Sequence, residues 1–340
     1  MTISIVLYLQ KKEKNLRKYN IFITRKLPEP ALELLKQKCN IEINPHDRIL
    51  TKEEIIQGLK DKDGLICLLT DSVDAEIIFS NPDLKVISNY AVGYNNIDIK
   101  AATKRKIPVT NTPGVLTETT ADLTWALILS IARRIVEGDR FTREKKFKGW
   151  APMFMLGTDV YGKTLGIVGM GRIGKAVAKR AFGFSMKICY YDHHRLSEEA
   201  EKKLNLTFIS FHELLETSDF VSLHVPLNSN TYHLIGDKEL SIMKRTSYLI
   251  NTSRGEVIDE YALLKVLEVK GISGAGLDVF EKEPVITEGL LKLKNVILLP
   301  HIGSATIETR TKMAFIVAEN LIAALEGKIP PDIINKEIYK

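Results

Sequence analysis

Short apolar runs alternate with amphipathic stretches through the first third of the chain. Short apolar, β-branched runs are typical of buried strands, whereas apolar positions at helical spacing are typical of helices. Thr51, with Glu54 three residues later, predicts a capped helix start. The short connections predict a parallel sheet with helices on both faces. The predicted elements are strands over 19–24, 41–43, 64–69, 84–89 and 107–111, and helices over 30–38, 51–60, 74–79 and 97–104.

A long helical pattern follows over Leu116–Val136, and it is unusually apolar. Thr117 or Thr119 is its predicted N-cap. Apolar side chains nearly encircle the helix, so we expect it to be covered on several sides. Contacts between domains and between subunits would provide that cover, which predicts a homodimer. Residues 137–161 lack such a pattern and predict a looser segment.

The middle of the chain has the order strand, glycine turn, helix, strand. Thr164–Val168 is a β-branched run of the kind that forms a buried parallel strand. After the turn GMGRIG, residues 169–174, apolar residues recur at helical spacing. A second strand is predicted over 186–191, and it ends on Asp192. This order is typical of a unit that binds a dinucleotide.

Each glycine of the turn has a physical role if a dinucleotide is bound. Gly169 allows the tight turn, Gly171 lets the backbone approach the pyrophosphate, and Gly174 allows helix and strand to pack closely. The N–H groups and positive dipole end of the helix would face the phosphates. Asp192 stands where a carboxylate accepts hydrogen bonds from the adenosine ribose hydroxyls. The predicted cofactor residues here are Gly169, Met170, Gly171, Arg172, Ile173, Gly174 and Asp192.

The alternation of strands and helices continues, and a final helix over 305–325 is long enough to cross back to the first domain. We therefore predict an α/β fold of two doubly wound parallel-sheet domains. A Rossmann cofactor domain, 114–307, is inserted into a flavodoxin-like substrate domain made of 1–113 and 308–340. The remaining predicted elements are helices over 211–216, 238–243 and 260–270, and strands over 220–225, 247–250, 274–279 and 295–299.

Composition narrows the class of protein. Of the 340 residues, 45% are hydrophobic and 26% charged, as in an ordinary globular protein. The net charge of +6 comes from basic residues interspersed with acidic ones, which disfavours a nucleic-acid-binding face. Cys39, Cys67 and Cys189 lack metal-ligand spacing, so we expect buried thiols and no metal site. No apolar run reaches the ~18–20 residues needed to span a bilayer.

Residues 1 to about 18 precede the first predicted strand. They form either an extra strand or arm, or a segment read from an upstream start codon. The apolar piece Ile3–Leu9 is followed by lysines, which is the wrong side for a secretory signal, and no small-residue cleavage site follows. We therefore expect a cytoplasmic protein.

Three polar clusters directly follow strands in the second half, at Asn251–Gly255, Asp278–Pro284 and Pro300–Ser304. Binding sites of open α/β sheets lie at the carboxyl ends of the strands. Taken singly, each cluster has an ordinary explanation: a surface ion pair, an exposed acid or a helix cap. Taken together, they bring a guanidinium, a carboxylate and an imidazole to one edge of a cofactor-binding sheet.

Arg254, Glu283 and His301 would suit hydride transfer to a 2-oxo acid. An arginine can clamp a carboxylate with two parallel hydrogen bonds. A protonated histidine can donate its proton to the carbonyl oxygen as hydride reaches the carbon. A neighbouring carboxylate favours the charged imidazole.

Ordered motifs over residues 19–335 carry a family resemblance. The chain resembles the D-isomer-specific 2-hydroxyacid dehydrogenases, which implies an NAD(P)-dependent enzyme. The matching motifs are AVGYNNID (Ala91–Asp98), TNTPGVLTETTAD (Thr110–Asp122), GIVGMGRIGKAVA, SLHVPL (Ser222–Leu227), INTSRG, GAGLDVFEKEP and LPHIGSA.

The resemblance implies roles for individual residues. It makes Arg254 the binder of the substrate carboxylate, His301 the general acid/base, and Glu283 the partner of His301. Glu281 lies off the family pattern and is expected to be a bystander. Backbone N–H groups at Val92-Gly93 are implied as further contacts of the substrate carboxylate. The other residues that we expect at the cofactor are His193, His194, Pro226, Thr252, Ser253, Asp278 at the nicotinamide end and Gly303, with Arg254 and His301 beside them.

Within the family, the chain is most similar to the glyoxylate/hydroxypyruvate reductases, through Thr119–Asp122 and the segment around Gly149-Trp150. In that subgroup the tryptophan reaches the site of a neighbouring subunit, which makes Trp150 an expected substrate contact in a homodimer. A plain interface or core aromatic is the alternative. The resemblance implies reduction of glyoxylate to glycolate, and of hydroxypyruvate as a second substrate. The alternatives are a D-3-phosphoglycerate dehydrogenase and, from another class, a cofactor-sensing binding protein without turnover.

The choice of cofactor depends on Asp192. A carboxylate there would repel a 2′-phosphate and accept a hydrogen bond from a 2′-hydroxyl, which favours NAD(H). NADP(H)-using reductases of this type carry Ser-Arg where this chain has Asp192-His193. His193, His194 and Arg195 would partly offset the repulsion, so NADP(H) is kept as the alternative.

Overall fold

The computed structural model describes residues 18–340. The prediction of an N-terminal arm or extra strand therefore lies outside the described residues. The chain divides into two compact units, whose boundaries fall at Val115/Leu116 and Thr306/Ile307. The boundaries placed from the sequence were 113/114 and 307/308. Within 18–340, no helix combines the length and the apolar character needed to cross a membrane.

The first unit contains a parallel sheet of five strands in the order β2-β1-β3-β4-β5. Its return segment, helix α13 (Ile307–Leu325), buries Met313, Val317 and Leu321 and packs against the sheet and the first helix. The strands are β1 (Tyr19–Ile23), β2 (Cys39–Ile43), β3 (Gly64–Leu68), β4 (Val86–Tyr90) and β5 (Val109–Thr110), and the other helices are α1 (Glu29–Lys38), α2 (Lys52–Gly58), α3 (Ala75–Ser80) and α4 (Ile99–Lys104).

Side-chain caps fix the starts of α2, α3 and α4 in this unit. The predicted capping box is confirmed: the Thr51 hydroxyl accepts the N–H of Glu54, and the Glu54 carboxylate accepts the N–H of Thr51. Asp74 and Asp98 cap α3 and α4 in the same way, each accepting an N–H three residues later. These caps satisfy N–H groups that a helix start leaves without a partner.

The second unit contains a parallel sheet of seven strands in the order β12-β11-β10-β9-β6-β7-β8. From β6 the strands follow one another outwards to β8 on one side, and from β9 they follow one another outwards to β12 on the other side. The strand order therefore reverses between β6 and β9, and ligands of such sheets bind in the crevice at this point. The strands are β6 (Thr164–Val168), β7 (Lys187–Tyr191), β8 (Leu206–Phe208), β9 (Phe220–Leu223), β10 (Tyr248–Asn251), β11 (Gly274–Leu277) and β12 (Val296–Leu298). The helices are α5 (Thr117–Ala132), α6 (Ile135–Arg143), α7 (Arg172–Ala181), α8 (Glu198–Lys203), α9 (Phe211–Thr217), α10 (Asp237–Ile242), α11 (Glu260–Glu268) and α12 (Glu288–Lys292).

The helix predicted over 116–136 is wrong in its length and its cap. It ends at Ala132, because the Ala132 carbonyl accepts the N–H of Thr158 at 2.8 Å. Arg134 then adopts a left-handed conformation with φ 53°, and α6 begins at Ile135 and runs on into the segment predicted to be loose. The N-cap residue is Leu116, without a side-chain hydrogen bond, so the predicted threonine caps are also wrong.

The apolar surface of α5 is covered mostly within its own unit. Trp125 stacks on Phe184 at 4.6 Å and donates its indole N–H to the Val177 carbonyl. Leu127 and Ile128 are buried against the sheet and α7. The apolar character of this helix therefore needs no second subunit to explain it.

Three short elements of this unit were not predicted: α8, β8 and α12. Helix α8 consists of EEAEKK and has no apolar stripe, so its sequence lacks the helical signal. Strand β8 has three residues at the sheet edge, and only Leu206 is buried. Pairing with β7 forms this strand, and local pattern carries no sign of it.

Candidate active site

The glycine turn has the geometry of a phosphate cradle. Gly169 has φ 95°, and a Cβ there would lie 2.8 Å from the backbone of His224 at the end of β9. A Cβ on Gly174 would lie 2.2 Å from the Gly169 carbonyl oxygen. At Gly171, in contrast, a Cβ would meet no atom within 4 Å. Two glycines are thus required by packing, and the third leaves the backbone open to a ligand, as dinucleotide binding requires.

Asp192 follows β7 beside this turn. One carboxylate oxygen accepts the N–H of Met170 at 2.7 Å, and the other accepts the N–H of His194 at 3.0 Å. The side chains of His193 and His194 are exposed. Arg195 is bound to Glu201 through two hydrogen bonds of 2.9 Å. The carboxylate is therefore fixed at the turn, and Arg195 is committed elsewhere.

The loop after β9 faces the same turn. The His224 ring lies with Nε2 2.8 Å from the Ser222 hydroxyl, and burial lowers the pKa of His224 to about 3. The imidazole is thus neutral at physiological pH. Pro226, a predicted cofactor residue, lies two positions on, and its carbonyl accepts the Thr231 hydroxyl at 2.6 Å. This hydrogen bond fixes the loop that would border the cofactor.

Arg254 lies in the loop after β10, and Asn251 shapes that loop. The Asn251 carboxamide accepts the N–H and hydroxyl of Ser253 and donates to the Arg254 carbonyl. The Arg254 guanidinium donates to the Ser253 carbonyl at 2.8 Å. Burial lowers the pKa of Arg254, while the charges of Glu256 and Glu283 oppose that change. The prediction did not assign a role to Asn251, although it is part of the motif INTSRG.

Glu283 and His301 form a hydrogen-bonded pair. Glu283 Oε2 lies 2.8 Å from His301 Nδ1, and Glu283 Oε1 accepts the N–H of Phe280 at 3.0 Å. Burial opposes ionisation of Glu283, but the hydrogen bond and charge of His301, with the charge of Arg254, lower its pKa overall. With Nδ1 held by Glu283, Nε2 is the ring nitrogen left for proton transfer. The structure thus brings Glu283 and His301 into contact, and it places Arg254 where its charge acts on Glu283.

Asp278 anchors the loop that carries His301. Its carboxylate oxygens accept the N–H groups of Ile302 and Gly303, at 2.7 and 2.8 Å. Burial raises the pKa of Asp278 to about 6, against the effect of these N–H groups and of His301. His301 itself has φ 54°. These contacts hold the histidine in a backbone conformation that residues other than glycine seldom adopt.

Threonines of α5 connect two of the loops. Thr120 donates its hydroxyl to the Gly303 carbonyl at 3.2 Å. The hydroxyls of Thr124 and Thr252 lie 2.9 Å apart. The predicted cofactor residues Thr252 and Gly303 are therefore both supported by the same helix, and Thr120 is the residue of the run TETTAD that makes one of these contacts.

In the first unit, Val92 and Gly93 follow β4. Asn111 donates its side-chain amide to the Val92 carbonyl at 2.7 Å, and Asn89 donates to the Gly93 carbonyl at 2.9 Å. In a trans peptide the N–H points opposite to the C=O. The two asparagines thus fix the direction in which the next N–H groups of this loop point.

Trp150 is 83% exposed in a segment with other exposed apolar side chains. Within 18–340, no group of three or more His, Cys, Asp or Glu side chains could hold a metal ion. The second unit thus carries an open glycine turn after β6, and Arg254, Glu283 and His301 in the loops that follow β10, β11 and β12.

Comparison with known proteins shows the family to which the chain belongs. The family description "D-isomer specific 2-hydroxyacid dehydrogenase, NAD binding domain" matches residues 125–303. A glyoxylate reductase of Korarchaeum cryptofilum is 55% identical over 325 residues, which are 95% of this chain and 98% of that protein. A glyoxylate reductase of Thermococcus litoralis is 53% identical, over 94% of this chain and 98% of that protein.

Solved structures extend the comparison. An NADPH-dependent glyoxylate/hydroxypyruvate reductase from Sinorhizobium meliloti, solved in complex with NADP and malonate, superimposes with a TM-score of 0.83. It is 30% identical and covers 94% of this chain and 97% of its own. The chain belongs to the D-isomer specific 2-hydroxyacid dehydrogenase family.

Proposed function

We propose that this protein is an NAD(P)-dependent reductase that converts glyoxylate to glycolate, with hydroxypyruvate as a second substrate. The observation that carries the proposal is the hydrogen bond of 2.8 Å between Glu283 and His301. The charge of Arg254 acts on the same carboxylate and lowers the pKa of Glu283. The two relatives that match over nearly the whole chain are glyoxylate reductases. A nicotinamide dinucleotide, when bound, supplies the hydride.

The side chains of this protein supply binding and the proton. Arg254 holds the substrate carboxylate through parallel N–H donors, which fixes the orientation of the neighbouring carbonyl. His301 delivers a proton from Nε2 to the carbonyl oxygen, where negative charge develops. Glu283 holds Nδ1 of the imidazole through the hydrogen bond of 2.8 Å and so orients the ring. The backbone N–H groups at Val92 and Gly93 are proposed as further contacts of the carboxylate.

Steady-state kinetics test this proposal directly. Purified protein is mixed with NADH or NADPH and with glyoxylate, hydroxypyruvate or phosphohydroxypyruvate, and loss of reduced nicotinamide is followed by its absorbance. Glyoxylate is expected to give the highest kcat/KM. A preference for phosphohydroxypyruvate would indicate the phosphoglycerate dehydrogenase alternative, and no oxidation of either nicotinamide would contradict the proposal.

We propose NAD(H) as the preferred cofactor, because Asp192 is fixed beside the glycine turn and Arg195 is bound to Glu201. Replacing Asp192 by Ser removes a carboxylate that would repel a 2′-phosphate. The ratio of kcat/KM for NADPH over NADH is expected to rise by at least about tenfold, since like charges in contact cost several kcal/mol. Asp83→Ser, at an exposed position in the other unit, is the control. An unchanged ratio in Asp192→Ser would contradict this role.

We further propose a homodimer that uses the exposed apolar segment 147–156. Phe147, Trp150, Met153 and Leu156 are each more than half exposed, and such patches mark interaction sites. Light scattering should give twice the protomer mass of 38.3 kDa. Met153→Asp is expected to shift the protein towards monomers at micromolar concentration. Ile329→Asp, which changes an exposed apolar residue outside this segment, should leave the mass unchanged. Equal behaviour of the two variants would contradict the interface.

In that dimer, Trp150 is proposed to reach the substrate site of the partner subunit.

We also propose the cytoplasm as the location of the protein, which agrees with three free, buried thiols.

A further inference from the structure

Glu260, at the first turn of α11, lies outside the predicted site, yet its carboxylate holds both arms of the turn that carries Glu283. The side chain is 4% exposed. Its Oε1 accepts the N–H of Glu281 at 2.5 Å. Its Oε2 accepts the N–H and the hydroxyl of Thr287, at 3.3 and 2.6 Å. One buried carboxylate therefore closes the base of the turn 281–287.

Glu281 reinforces this closure from the other side. Its carboxylate accepts the N–H of Glu260 at 3.4 Å and lies 3.2 Å from Nε2 of His233. Across the turn, the N–H of Val285 donates to the Lys282 carbonyl at 2.8 Å. Glu281, which was expected to be a bystander of the chemistry, thus takes part in holding the turn.

The position of Glu283 depends on this turn. Glu283 lies within it, between the Phe280 N–H and the His301 ring, with oxygens 3.0 and 2.8 Å from them. A Cβ on Gly255 would lie 1.9 Å from the Phe280 carbonyl carbon, so the Arg254 loop packs directly against the start of the turn. The turn therefore joins the loops of Arg254 and His301.

The chemistry at position 260 calls for a carboxylate. Donors on two separate arms each need an acceptor, and a carboxylate offers two oxygens that can serve both at once. Without it, the N–H groups of Glu281 and Thr287 would be left without a partner, which destabilises the folded turn when the donors are buried. The burial of Glu260 is in turn tolerated because three donors satisfy it.

We propose that Glu260 is a positioning residue that holds Glu283 in hydrogen-bond contact with His301. This inference rests on the proposed function for its catalytic consequence. A small displacement of Glu283 weakens a charge-assisted hydrogen bond that is short and directional. The imidazole then releases its proton at lower pH, and less of the protonated form is present for reduction. The Arg254 contact with substrate is left in place, so kcat should change more than KM.

The test compares Glu260→Gln with Glu268→Gln, which changes an exposed residue on the same helix. Glutamine keeps the shape of the side chain, but its amide N–H₂ replaces one acceptor oxygen. On one arm of the turn a donor would then face another donor, and that hydrogen bond would be lost. Thr287→Val is the second variant, because it removes only the hydroxyl that contacts Oε2. NADH binding and thermal unfolding show that each variant is folded.

The first readout is an NMR titration of the His301 ring in ¹³C-histidine-labelled protein, with the signal identified by its loss in His301→Asn. The midpoint is expected at lower pH in Glu260→Gln, by about half a unit or more. The second readout is glyoxylate reduction, in which kcat should fall about tenfold while KM changes much less. Thr287→Val should change both readouts in the same direction, by less.

Two results would overturn the inference. One is a titration midpoint and kcat for Glu260→Gln that match Glu268→Gln. The other is a lower kcat with the wild-type midpoint, which would mean a purely structural role for Glu260. If the wild-type protein failed to reduce glyoxylate, the proposed function would be wrong, while the NMR midpoints would still decide whether Glu260 positions the pair.

Discussion

Replacing His301 by Asn is expected to lower kcat for glyoxylate reduction by about 10²–10⁴-fold, the usual contribution of a positioned general acid. Asparagine cannot donate a proton to the carbonyl oxygen as hydride arrives. Binding of NADH, measured by fluorescence titration, should change little, because the substitution leaves unchanged the glycine turn and Asp192, which we propose hold the far end of the dinucleotide. His212→Asn, which changes an exposed histidine of the same unit, should keep wild-type kinetics.

The same variant separates an enzyme from a cofactor-sensing binding protein. In a sensor, the Glu283–His301 pair would have no turnover to support, and wild-type protein would bind nicotinamide without oxidising it. Turnover in the wild type that is lost in His301→Asn, with cofactor binding retained, agrees only with the enzyme. Retention of turnover in His301→Asn would remove the histidine from the mechanism proposed here.

Much of the fold could be predicted because most of its strands have a recognisable pattern in their own short stretch of sequence. The run Thr164–Val168 is apolar and β-branched, and it forms β6 with the predicted bounds. The α5 helix shows the limit of such reasoning. Its end at Ala132 is set by a hydrogen bond from Thr158, and no local pattern reveals that contact.

The same distinction applies to the site. The glycine turn could be predicted because the spacing of its glycines within six residues shows where the backbone must turn tightly or lie open. The geometry at Gly169, Gly171 and Gly174 agrees with that expectation. The role of Glu260 could not, since an acid in the first turn of a helix is ordinary. Its partners lie 21 and 27 residues further along the chain. Only tertiary structure brings them to its two oxygens.

Replacing Arg254 by Lys is expected to lower kcat/KM for glyoxylate by about tenfold to a hundredfold, mainly through KM, because a hydrogen bond to a charged group contributes about 1.5–3 kcal/mol. Lysine keeps the charge but presents a point donor in place of a planar fork, so the second parallel hydrogen bond to the carboxylate is lost. Arg245→Lys, at an exposed position, is the matched control.

The decisive comparison for Arg254→Lys uses a carbonyl substrate that lacks a carboxylate, such as methylglyoxal. If Arg254 grips the substrate carboxylate, the variant should lose activity on glyoxylate while its weak activity on methylglyoxal stays close to that of the wild type. The preference for glyoxylate would then shrink by the same tenfold to hundredfold, about 1.4–2.8 kcal/mol. An equal loss on both substrates would place the effect of Arg254 elsewhere, in the Ser253 loop that it holds or at the cofactor, and would leave the carboxylate without its assigned partner.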